Sequence, residues 1–172
     1  MINLIFQYKN LHVKKKFLFL LVALIIIQFI HPGKNKPDGA QPNYIGNVFP
    51  VPEKVKVILT KACNDCHTNN TNYPWYASIQ PVHWWMNDHI MEGKRELNFD
   101  DYKDRSLRFQ YHKMEEIVKQ VKEGEMPLAA YTSIHKDAKL SEAEKKELIN
   151  WADGIRDSLK ANYPMDSLIR KK

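Results

Sequence analysis

The stretch Cys63-Asn64-Asp65-Cys66-His67 constrains this chain more than any other feature, because it contains both of the chain's cysteines. Two residues separate the cysteines, and a histidine directly follows the second one. This order is the attachment signature of a c-type haem. Each thiol can form a thioether with one haem vinyl group, and the adjacent imidazole can bind the iron as proximal ligand. The sequence therefore predicts one covalently attached haem c, held by Cys63 and Cys66, with His67 on the iron.

Three other interpretations of the paired cysteines explain the sequence less well. A thioredoxin-like redox pair belongs at the start of a helix that follows a strand, and no strand pattern precedes Cys63. A zinc site needs four ligands, and the chain has no second Cys-x-x-Cys. A disulfide between Cys63 and Cys66 would close a very small loop, so it would restrict the unfolded chain little. Haem attachment is the interpretation that uses both cysteines and the histidine.

The N-terminal segment, residues 1–31, has the composition of a membrane-targeting sequence. It carries Lys9 and Lys14–Lys16 and no acidic residue, and it contains an apolar run of about 14 residues from Phe17 to Ile30. Because a spanning helix needs roughly 20 residues, a cleaved signal peptide is an alternative. The absence of a small-x-small cleavage site favours an uncleaved signal anchor. The lysines before the run predict a single-pass inner-membrane protein with its haem domain on the periplasmic side.

Most of the net charge of +6 comes from this segment. Beyond residue 31, 22 of the 26 Lys and Arg residues remain against all 20 Asp and Glu residues, which leaves a net charge of about +2. A nucleic-acid-binding domain needs at least a basic face. The sequence therefore predicts no nucleic-acid partner.

The composition divides the rest of the chain into two parts. Residues 32–51 contain four prolines and three glycines without sustained apolar periodicity, which is typical of a tether. Residues 52–172 have the length of one ordinary domain. The predicted organisation is a signal anchor (1–31), a tether (32–51) and a cytochrome c-like haem-binding domain (52–172).

Four segments of that domain carry the apolar periodicity of amphipathic helices, and none alternates like a strand. Ser78 is expected to cap the second helix and Gly93 to end it. Gly124 is expected to end the third, and Ser141 with Glu144 predicts a capping box at the start of the fourth. The fold class predicted is all-α. The four inner faces consist of Val55, Ile58, Leu59 and Ala62; Val82, Met86, His89 and Ile90; Leu107, Tyr111, Met114, Ile117, Val118 and Val121; and Leu148, Ala152, Ile155 and Leu159.

Several short motifs occur in a fixed order over about residues 45–160. They are Cys66-His67-Thr68-Asn69, Tyr73-Pro74-Trp75-Tyr76, Pro81-Val82, His89, Leu97-Asn98-Phe99, Gly124-Glu125-Met126-Pro127 and Leu140-Ser141-Glu142. This order resembles a class I cytochrome c and, more narrowly, the bacterial haem-binding-domain family, whose members are cytochrome c-like proteins behind one N-terminal anchor. The resemblance implies a cytochrome c-like helical domain that binds haem, and it leaves the physiological role open.

The second axial ligand of the iron has several candidates in the sequence. They are Met126, Met86, Met91, Met114, His83, His89, His112 and His135. The resemblance implies Met126, which lies in a loop between a helix and Pro127. His89 is the alternative, although a histidine on an apolar stripe is more often a buried structural residue.

An aromatic cluster follows the motif closely and consists of Tyr73, Trp75, Tyr76, Trp84 and Trp85. These rings are expected to pack against the porphyrin and exclude water, which raises the reduction potential. Ordinary core packing is the alternative.

Two function classes are consistent with these features. The first is periplasmic electron transfer by a c-type cytochrome with His67 and Met126 on the iron, serving unidentified redox partner proteins. The second is a haem-based sensor or peroxide-reactive protein whose distal site is open or weakly ligated. The Met-Pro loop favours electron transfer, and no acid–base pair follows from the spacing. The sequence therefore predicts a protein that is not an enzyme.

Overall fold

The structure is a computed structural model that describes residues 2–37 and 39–170, with side chains from residue 13 onward. Every regular element in these residues is helical, so the all-α fold class is confirmed for them. The α-helices are α1 (Ile2–Ile27), α2 (Glu53–Ala62), α3 (Asn64–His67), α4 (Val82–Glu96), α5 (Leu107–Glu123), α6 (Ala129–Ile134), α7 (Glu142–Asn162) and α8 (Met165–Leu168). Three 3-10 turns lie at Ile45–Asn47, Trp75–Ser78 and Lys136–Ala138.

The N-terminal segment forms α1, which contains most of the predicted apolar run. Met1 and the side chain of Lys9 lie outside the described residues. From Phe17 to Ile30, eleven large apolar side chains are exposed. No helix in residues 2–37 and 39–170 is both long and apolar enough to cross a membrane. The division at residues 31 and 51 stays a prediction.

The chain forms two units. One runs up to Lys34 and includes Tyr73–His89, and the other consists of Asn35–Asn72 and the chain from Ile90 onward. Cys63, Cys66, His67 and Met126 all belong to the second unit, whereas His89 belongs to the first.

The core of the second unit forms where α5 packs against α7 and α8 and where α2 packs against α7. The inner faces predicted for α2, α5 and α7 are buried, except that Leu107 and Ile117 are half-buried. Removal of these apolar side chains from water is the main stabilising contribution of such a core. Helical periodicity alone therefore identified the core positions of these three helices.

The predicted caps of α5 and α7 are confirmed. Gly124 ends α5 in the left-handed conformation with φ of 74°, which costs glycine little because it has no Cβ. The Ser141 hydroxyl accepts a hydrogen bond from the Glu144 N–H, while the Glu144 carboxylate accepts one from the Ser141 N–H. The capping box fixes the start of α7 next to α2, where Lys61 pairs with Glu144 at 2.6 Å.

The prediction for the second helix is wrong at both ends. Ser78 lies in the 3-10 turn Trp75–Ser78 and caps nothing, since α4 starts at Val82, directly after Pro81. Gly93 does not end α4, which continues to Glu96. Gly93 does not have the positive φ that a left-handed C-cap requires, and it serves a tertiary contact instead.

The second half of the expected tether differs from a free linker. Ile45 is fully buried, and its N–H donates to the Phe99 carbonyl at 2.7 Å. The Pro50 carbonyl accepts a hydrogen bond from Trp151 Nε1 at 3.0 Å. Single apolar residues among prolines can fill gaps in a core without any periodicity, so the sequence pattern did not reveal this packing.

Candidate functional site

The Cys-x-x-Cys-His motif begins where α2 ends. The Cys63 carbonyl accepts hydrogen bonds from the backbone N–H groups of Cys66 and His67, at 3.2 and 3.0 Å. These bonds close the single helical turn α3, which carries Cys66 and His67. Because the apolar face of α2 is buried in the core, the position of the whole motif is fixed relative to that core.

Both cysteines are free thiols in a partly buried environment. Burial, with a smaller effect of Cys66, raises the pKa of Cys63 to about 12. Burial, followed by the Asp65 carboxylate, raises the pKa of Cys66 to about 11. A reactive redox cysteine needs a lowered pKa, so this environment does not favour the thioredoxin-like interpretation.

The zinc interpretation also finds no support in the geometry. Within the described part of the chain, no group of three or more His, Cys, Asp and Glu side chains is arranged to hold a metal ion. A structural zinc site needs four such ligands.

Helix α4 approaches the motif directly at Gly93. A Cβ atom at this position would lie 2.8 Å from the Cys66 carbonyl oxygen and 3.0 Å from the Cys66 Cβ. Contacts that short against backbone require the helix or the motif to move. Gly93 therefore permits the close approach of α4 to the second cysteine, which is the role that replaces its predicted role as a helix end.

Three groups at and after the end of α4 hold His67. Its Nδ1 atom lies 2.9 Å from the Leu97 carbonyl oxygen, and its own carbonyl accepts a hydrogen bond from the Phe99 N–H at 2.8 Å. The Phe99 ring stands edge-on to the imidazole, with 6.3 Å between the centroids. Because a carbonyl can only accept, Nδ1 carries the proton, and Nε2 keeps the lone pair that a metal ligand needs.

The protonation state of His67 suits a ligand as well. Burial lowers the pKa of His67, and the Leu97 and Gly93 carbonyls offset only part of this effect. The imidazole is therefore neutral at neutral pH, which is the form that binds iron.

Asp65 ties the middle of the motif to two other segments. Its carboxylate accepts hydrogen bonds from the Tyr131 hydroxyl at 2.7 Å and from the Asn72 N–H at 2.9 Å. Its carbonyl accepts one from the Thr71 hydroxyl at 2.6 Å. Bonds to a charged carboxylate are among the stronger hydrogen bonds in proteins. Asp65 thus holds the turn between the two cysteines in one conformation.

A cavity in the second unit is lined by Cys63 and His67 on one side. Its volume is about 230 Å³, below the roughly 300–1,000 Å³ of sites that enclose a whole small-molecule ligand. Apolar side chains of α2, α5 and α7 form much of the wall, among them Leu59, Val121 and Leu148. An apolar wall next to an imidazole and a thiol suits one part of a flat, hydrophobic cofactor, the rest of which would lie at the open mouth of the cavity.

Met126 lines the same cavity, from the loop after α5. The N–H groups of Glu125 and Met126 both donate to the Gln120 carbonyl, at 2.9 and 3.3 Å. These bonds fold the loop back over the end of α5 and hold Met126 at the cavity. His67 and Met126, the two predicted axial ligands, are therefore brought together in one cavity.

A charged cluster forms another part of the cavity wall. The Lys113 ammonium donates to Glu116 at 2.6 Å and to Glu96 at 3.1 Å, and all three residues line the cavity. Desolvation lowers the pKa of Lys113, but the two carboxylates raise it by more, so the net shift is upward. The site therefore contains a lysine that stays protonated, 9% exposed, between two carboxylates, and the sequence pattern did not single out this cluster.

The other candidate ligands of the second unit have structural surroundings of their own. Met114 is fully buried in the core, and Met91 is 53% exposed. His112 is exposed beside two glutamates of α5. His135 stacks on Tyr131, with 4.3 Å between the ring centroids.

The histidine candidates of the first unit bond to backbone nearby. Nδ1 of His89 lies 2.8 Å from the Trp85 carbonyl oxygen, and the two rings are 4.4 Å apart. Nδ1 of the buried His83 lies 2.7 Å from the Ala77 carbonyl oxygen. Each imidazole therefore has a local structural partner.

Packing of the aromatic cluster around a porphyrin stays a prediction, whereas the alternative of ordinary core packing is wrong for Trp75 and Trp85. Tyr73 does stack on His83, with 6.2 Å between the centroids. The Trp84 indole, however, donates to the Ile30 carbonyl at 2.9 Å. Trp75 is 80% exposed and Trp85 is 45% exposed, so these two rings face water rather than a core.

Comparison with known proteins adds one decisive finding. A family model described as the haem-binding domain matches residues 22–154. The chain belongs to the haem-binding domain family. No curated protein matches the chain, and no solved structure does. The match includes every residue assigned above to the cavity, so the resemblance predicted from the motifs is confirmed.

The residues of this haem-binding domain fit the group that the family name implies. The motif presents the Cys63 thiol and a neutral imidazole whose Nε2 is available to a cavity with apolar walls and the Met126 thioether, whereas Cys66 does not line this cavity. Haem iron takes His and Met as axial ligands, and thiols of a Cys-x-x-Cys-His motif attach its vinyl groups.

Sequence reasoning missed the supporting residues of the haem-binding domain. Gly93 and Leu97 act through contacts to residues far away in the chain, Lys113 pairs with Glu96 as well as with its helix neighbour Glu116, and none of the three shows a motif spacing with the cysteines. The Leu97-Asn98-Phe99 stretch was noticed only as part of the family resemblance. In the structure, Leu97 and Phe99 of this stretch both form hydrogen bonds with His67.

Proposed function

We propose that this haem-binding domain protein is a mono-haem c-type cytochrome that transfers electrons on the periplasmic side of the inner membrane. The observation that carries the proposal is that Cys63, His67 and Met126 line one largely apolar cavity. Cys63 and Cys66 would hold the haem through thioethers, with His67 and Met126 as axial ligands. When bound, the haem supplies a one-electron couple between Fe(II) and Fe(III).

The proximal side of the site prepares His67 for the iron. The Leu97 carbonyl selects the tautomer and fixes the ring orientation, and such a hydrogen bond also makes the imidazole a stronger donor. Gly93 lets α4 come close enough for this bond to form. The chain therefore holds the ligand in place before any haem arrives.

The distal side favours a high reduction potential. A methionine thioether is a neutral, soft ligand that raises the potential of a haem relative to a second histidine. The apolar wall disfavours the extra positive charge of the ferric state, and the Lys113 ammonium offsets part of the opposite effect of Glu96 and Glu116. Since two axial ligands leave no position on the iron for a substrate, we propose electron transfer rather than an enzymatic reaction.

The proposed location at the inner membrane rests on the N-terminal segment staying in the mature protein. The family match begins at residue 22, inside the apolar run, so the end of this run is part of the shared domain. The Gln80 side chain donates to the Ile30 carbonyl at 2.7 Å, and Gln28 accepts a hydrogen bond from the Gln80 N–H at 2.9 Å. A cleavage after residue 31 would remove these partners.

Redox titration of purified Met126→Ala protein tests the proposed ligand set. The variant is expected to lose the weak sulfur-to-ferric-iron band at the red end of the spectrum, to have a lower potential, and to bind cyanide or carbon monoxide more readily. Met126→His is expected to stay low-spin at a lower potential. Met165→Ala, at a 44% exposed position, is the matched control and should change none of these properties.

One result would contradict the electron-transfer proposal, and another would contradict the proposed ligand set. A five-coordinate, high-spin spectrum of the wild-type protein would indicate an open distal site and favour the sensor or peroxide-reactive alternative. An unchanged spectrum and potential in Met126→Ala, together with altered ones in His89→Ala, would show a bis-histidine ligand set.

A further inference from the structure

A segment of the first unit combines an unusual composition with an unusual exposure. Residues 73–87 contain three of the four tryptophans and two tyrosines but no Asp, Glu, Lys or Arg, although such charged residues make up 27% of the whole chain. Three of its large side chains are exposed: Trp75 at 80%, Ile79 at 45% and Trp85 at 45%. We call these three the aromatic surface. Trp and Tyr are the residues enriched where a protein meets the membrane–water interface.

The hydrogen bonds of this segment attach it to the end of α1. Gln80 and Trp84 both donate to the Ile30 carbonyl, at 2.7 and 2.9 Å, and Gln80 also exchanges hydrogen bonds with Gln28. Ile79 and Trp85 are the direct chain neighbours of Gln80 and Trp84. Two of the three members of the aromatic surface are therefore held beside the point where α1 ends.

The helix that ends there has apolar side chains exposed on every face. Consecutive exposed residues from Phe17 to Val22 cover more than one helical turn, and Phe29 and Ile30 continue the exposed apolar surface beyond α1. Contiguous apolar surface of this extent marks a place that something apolar covers. A groove on another protein would contact only one stripe of the helix. A helix that is apolar all round therefore fits a lipid environment better than it fits such a groove.

A cation lies next to the segment as well. The exposed Lys34 ammonium stands over the Tyr73 ring at 5.6 Å from its centroid. A lysine beside aromatic rings is the arrangement that contacts lipid phosphates while the rings enter the headgroup region. The lysine charge thus matches the lipid phosphates, and the rings match the headgroup region of the bilayer.

We propose that the aromatic surface of Trp75, Ile79 and Trp85 inserts into the headgroup region of the lipid bilayer around the end of α1. This proposal rests on the proposed retention of the N-terminal segment at the membrane. The hydrogen bonds to Gln28 and Ile30 then fix the first unit against the bilayer surface rather than leaving it to move freely at the end of a linker.

Photocrosslinking in full-length holoprotein tests this contact. The photoreactive amino acid p-benzoylphenylalanine replaces Trp75 in one variant and Trp85 in another, and each protein is irradiated in phosphatidylcholine vesicles and analysed by mass spectrometry of its peptides. Phe19 is the position that reports on α1 itself. The control is Tyr163, an aromatic residue of similar exposure, 43%, with charged residues nearby in the chain.

The expected result is a covalent phosphatidylcholine adduct at positions 19, 75 and 85 and none at position 163. An adduct at position 19 alone would show that the N-terminal segment contacts lipid but that the aromatic surface does not, and it would contradict the proposed insertion. No adduct at position 19, or a mature protein that lacks residues 1–31, would overturn the membrane attachment and with it this proposal.

Two further outcomes are decisive. If positions 75 and 85 crosslink to a polypeptide rather than lipid when native membranes replace the vesicles, the surface binds a protein and the lipid proposal is wrong. Should a tryptophan replacement lower the haem content, the variant at Ile79 takes its place, and the absence of a lipid adduct there contradicts the proposal equally.

Discussion

The Nδ1 atom of His67 lies 2.9 Å from the carbonyl oxygen of Leu97. This hydrogen bond links the motif that would bind haem to the residue directly after α4, although 30 residues separate the two in the chain. The imidazole is thereby oriented by backbone, which no side-chain substitution at Leu97 removes. The neighbouring close contact of α4 with the motif is, however, open to mutation.

Gly93→Ala is expected to destabilise the folded protein and to lower its haem content. The new Cβ atom would lie 2.8 Å from the Cys66 carbonyl oxygen, so helix or motif must move, at a cost of about 1–3 kcal/mol. Gly154→Ala is the matched control, because Gly154 also lies inside a helix but has no atom within 4 Å of its new Cβ. That control should gain about 0.5–1 kcal/mol from helix propensity. Denaturant unfolding and haem per polypeptide measure both effects, and equal stabilities in the two variants would contradict the close contact.

Tyr131→Phe should destabilise the folded protein, because Tyr131 helps to hold the Cys-x-x-Cys-His motif in its conformation. The variant loses the hydrogen bond to the Asp65 carboxylate and is expected to lose about 1.5 kcal/mol of unfolding free energy. Tyr163→Phe, at an exposed position, is the control and should stay within about 0.5 kcal/mol of wild type. If both variants unfold at the same denaturant concentration as the wild type, the hydrogen bond between Tyr131 and Asp65 contributes nothing to the free energy of unfolding.

Lys113→Gln is expected to lower the reduction potential. Removing the ammonium leaves Glu96 and Glu116 as uncompensated negative charges at the cavity, and negative charge stabilises the ferric state. Lys119→Gln, which removes an exposed lysine of the same helix, should shift the potential much less because solvent screens its charge. Potentiometric titration at low and high salt compares the two. An unchanged potential in Lys113→Gln would show that the cluster does not act on the iron, and a higher one would contradict the predicted direction.

The contribution of Glu144 to stability should disappear in acid. Hydrogen bonds from Lys61 and then from Ser141 lower the pKa of its carboxyl from 4.5 to about 2. Because the folded-state pKa lies below the unfolded value, this contribution is complete above pH 4.5 and is lost as the pH falls toward about 2. Glu144→Gln should therefore be about 1 kcal/mol less stable than wild type at neutral pH.

Acid titration of the unfolding free energy provides the check. The difference between wild type and Glu144→Gln should shrink steadily below pH 4.5, the ordinary pKa of the group. Glu53→Gln, at an 80% exposed side chain, should show a small difference throughout. A Glu144→Gln difference that stays constant down to the most acidic conditions would contradict the role of this carboxylate.

The helices were predictable wherever apolar residues repeat with the helical period. Leu148, Ala152, Ile155 and Leu159 are buried as predicted, since a regular stripe needs no knowledge of its partner. Gly124 and the Ser141 capping box are likewise local signals, because a cap involves only residues within one turn. The haem-binding family could be predicted because its motifs occupy contiguous stretches of sequence.

The supporting contacts were not predictable, because they join residues without a local pattern. Tyr131 reaches Asp65 across 66 positions, and no feature of either sequence neighbourhood indicates this bond. Gly93 was mistaken for a helix end since a glycine looks the same whether it serves a left-handed turn or a close contact. The exposure of Trp75 was missed for a similar reason: aromatic residues are usually assigned to the core unless the geometry shows otherwise.

The most direct test of the account is whether haem remains on the polypeptide after complete denaturation. The protein is produced in cells with a cytochrome c maturation system, separated on a denaturing gel, and stained for haem; an alkaline pyridine spectrum of the same sample identifies the haem type. We predict a haem stain and a haem c spectrum for the wild type and no stain for the Cys63→Ser/Cys66→Ser double variant, at equal amounts of polypeptide. Undiminished stain in the double variant, or wild-type protein that carries zinc in place of haem, would contradict covalent attachment through this motif.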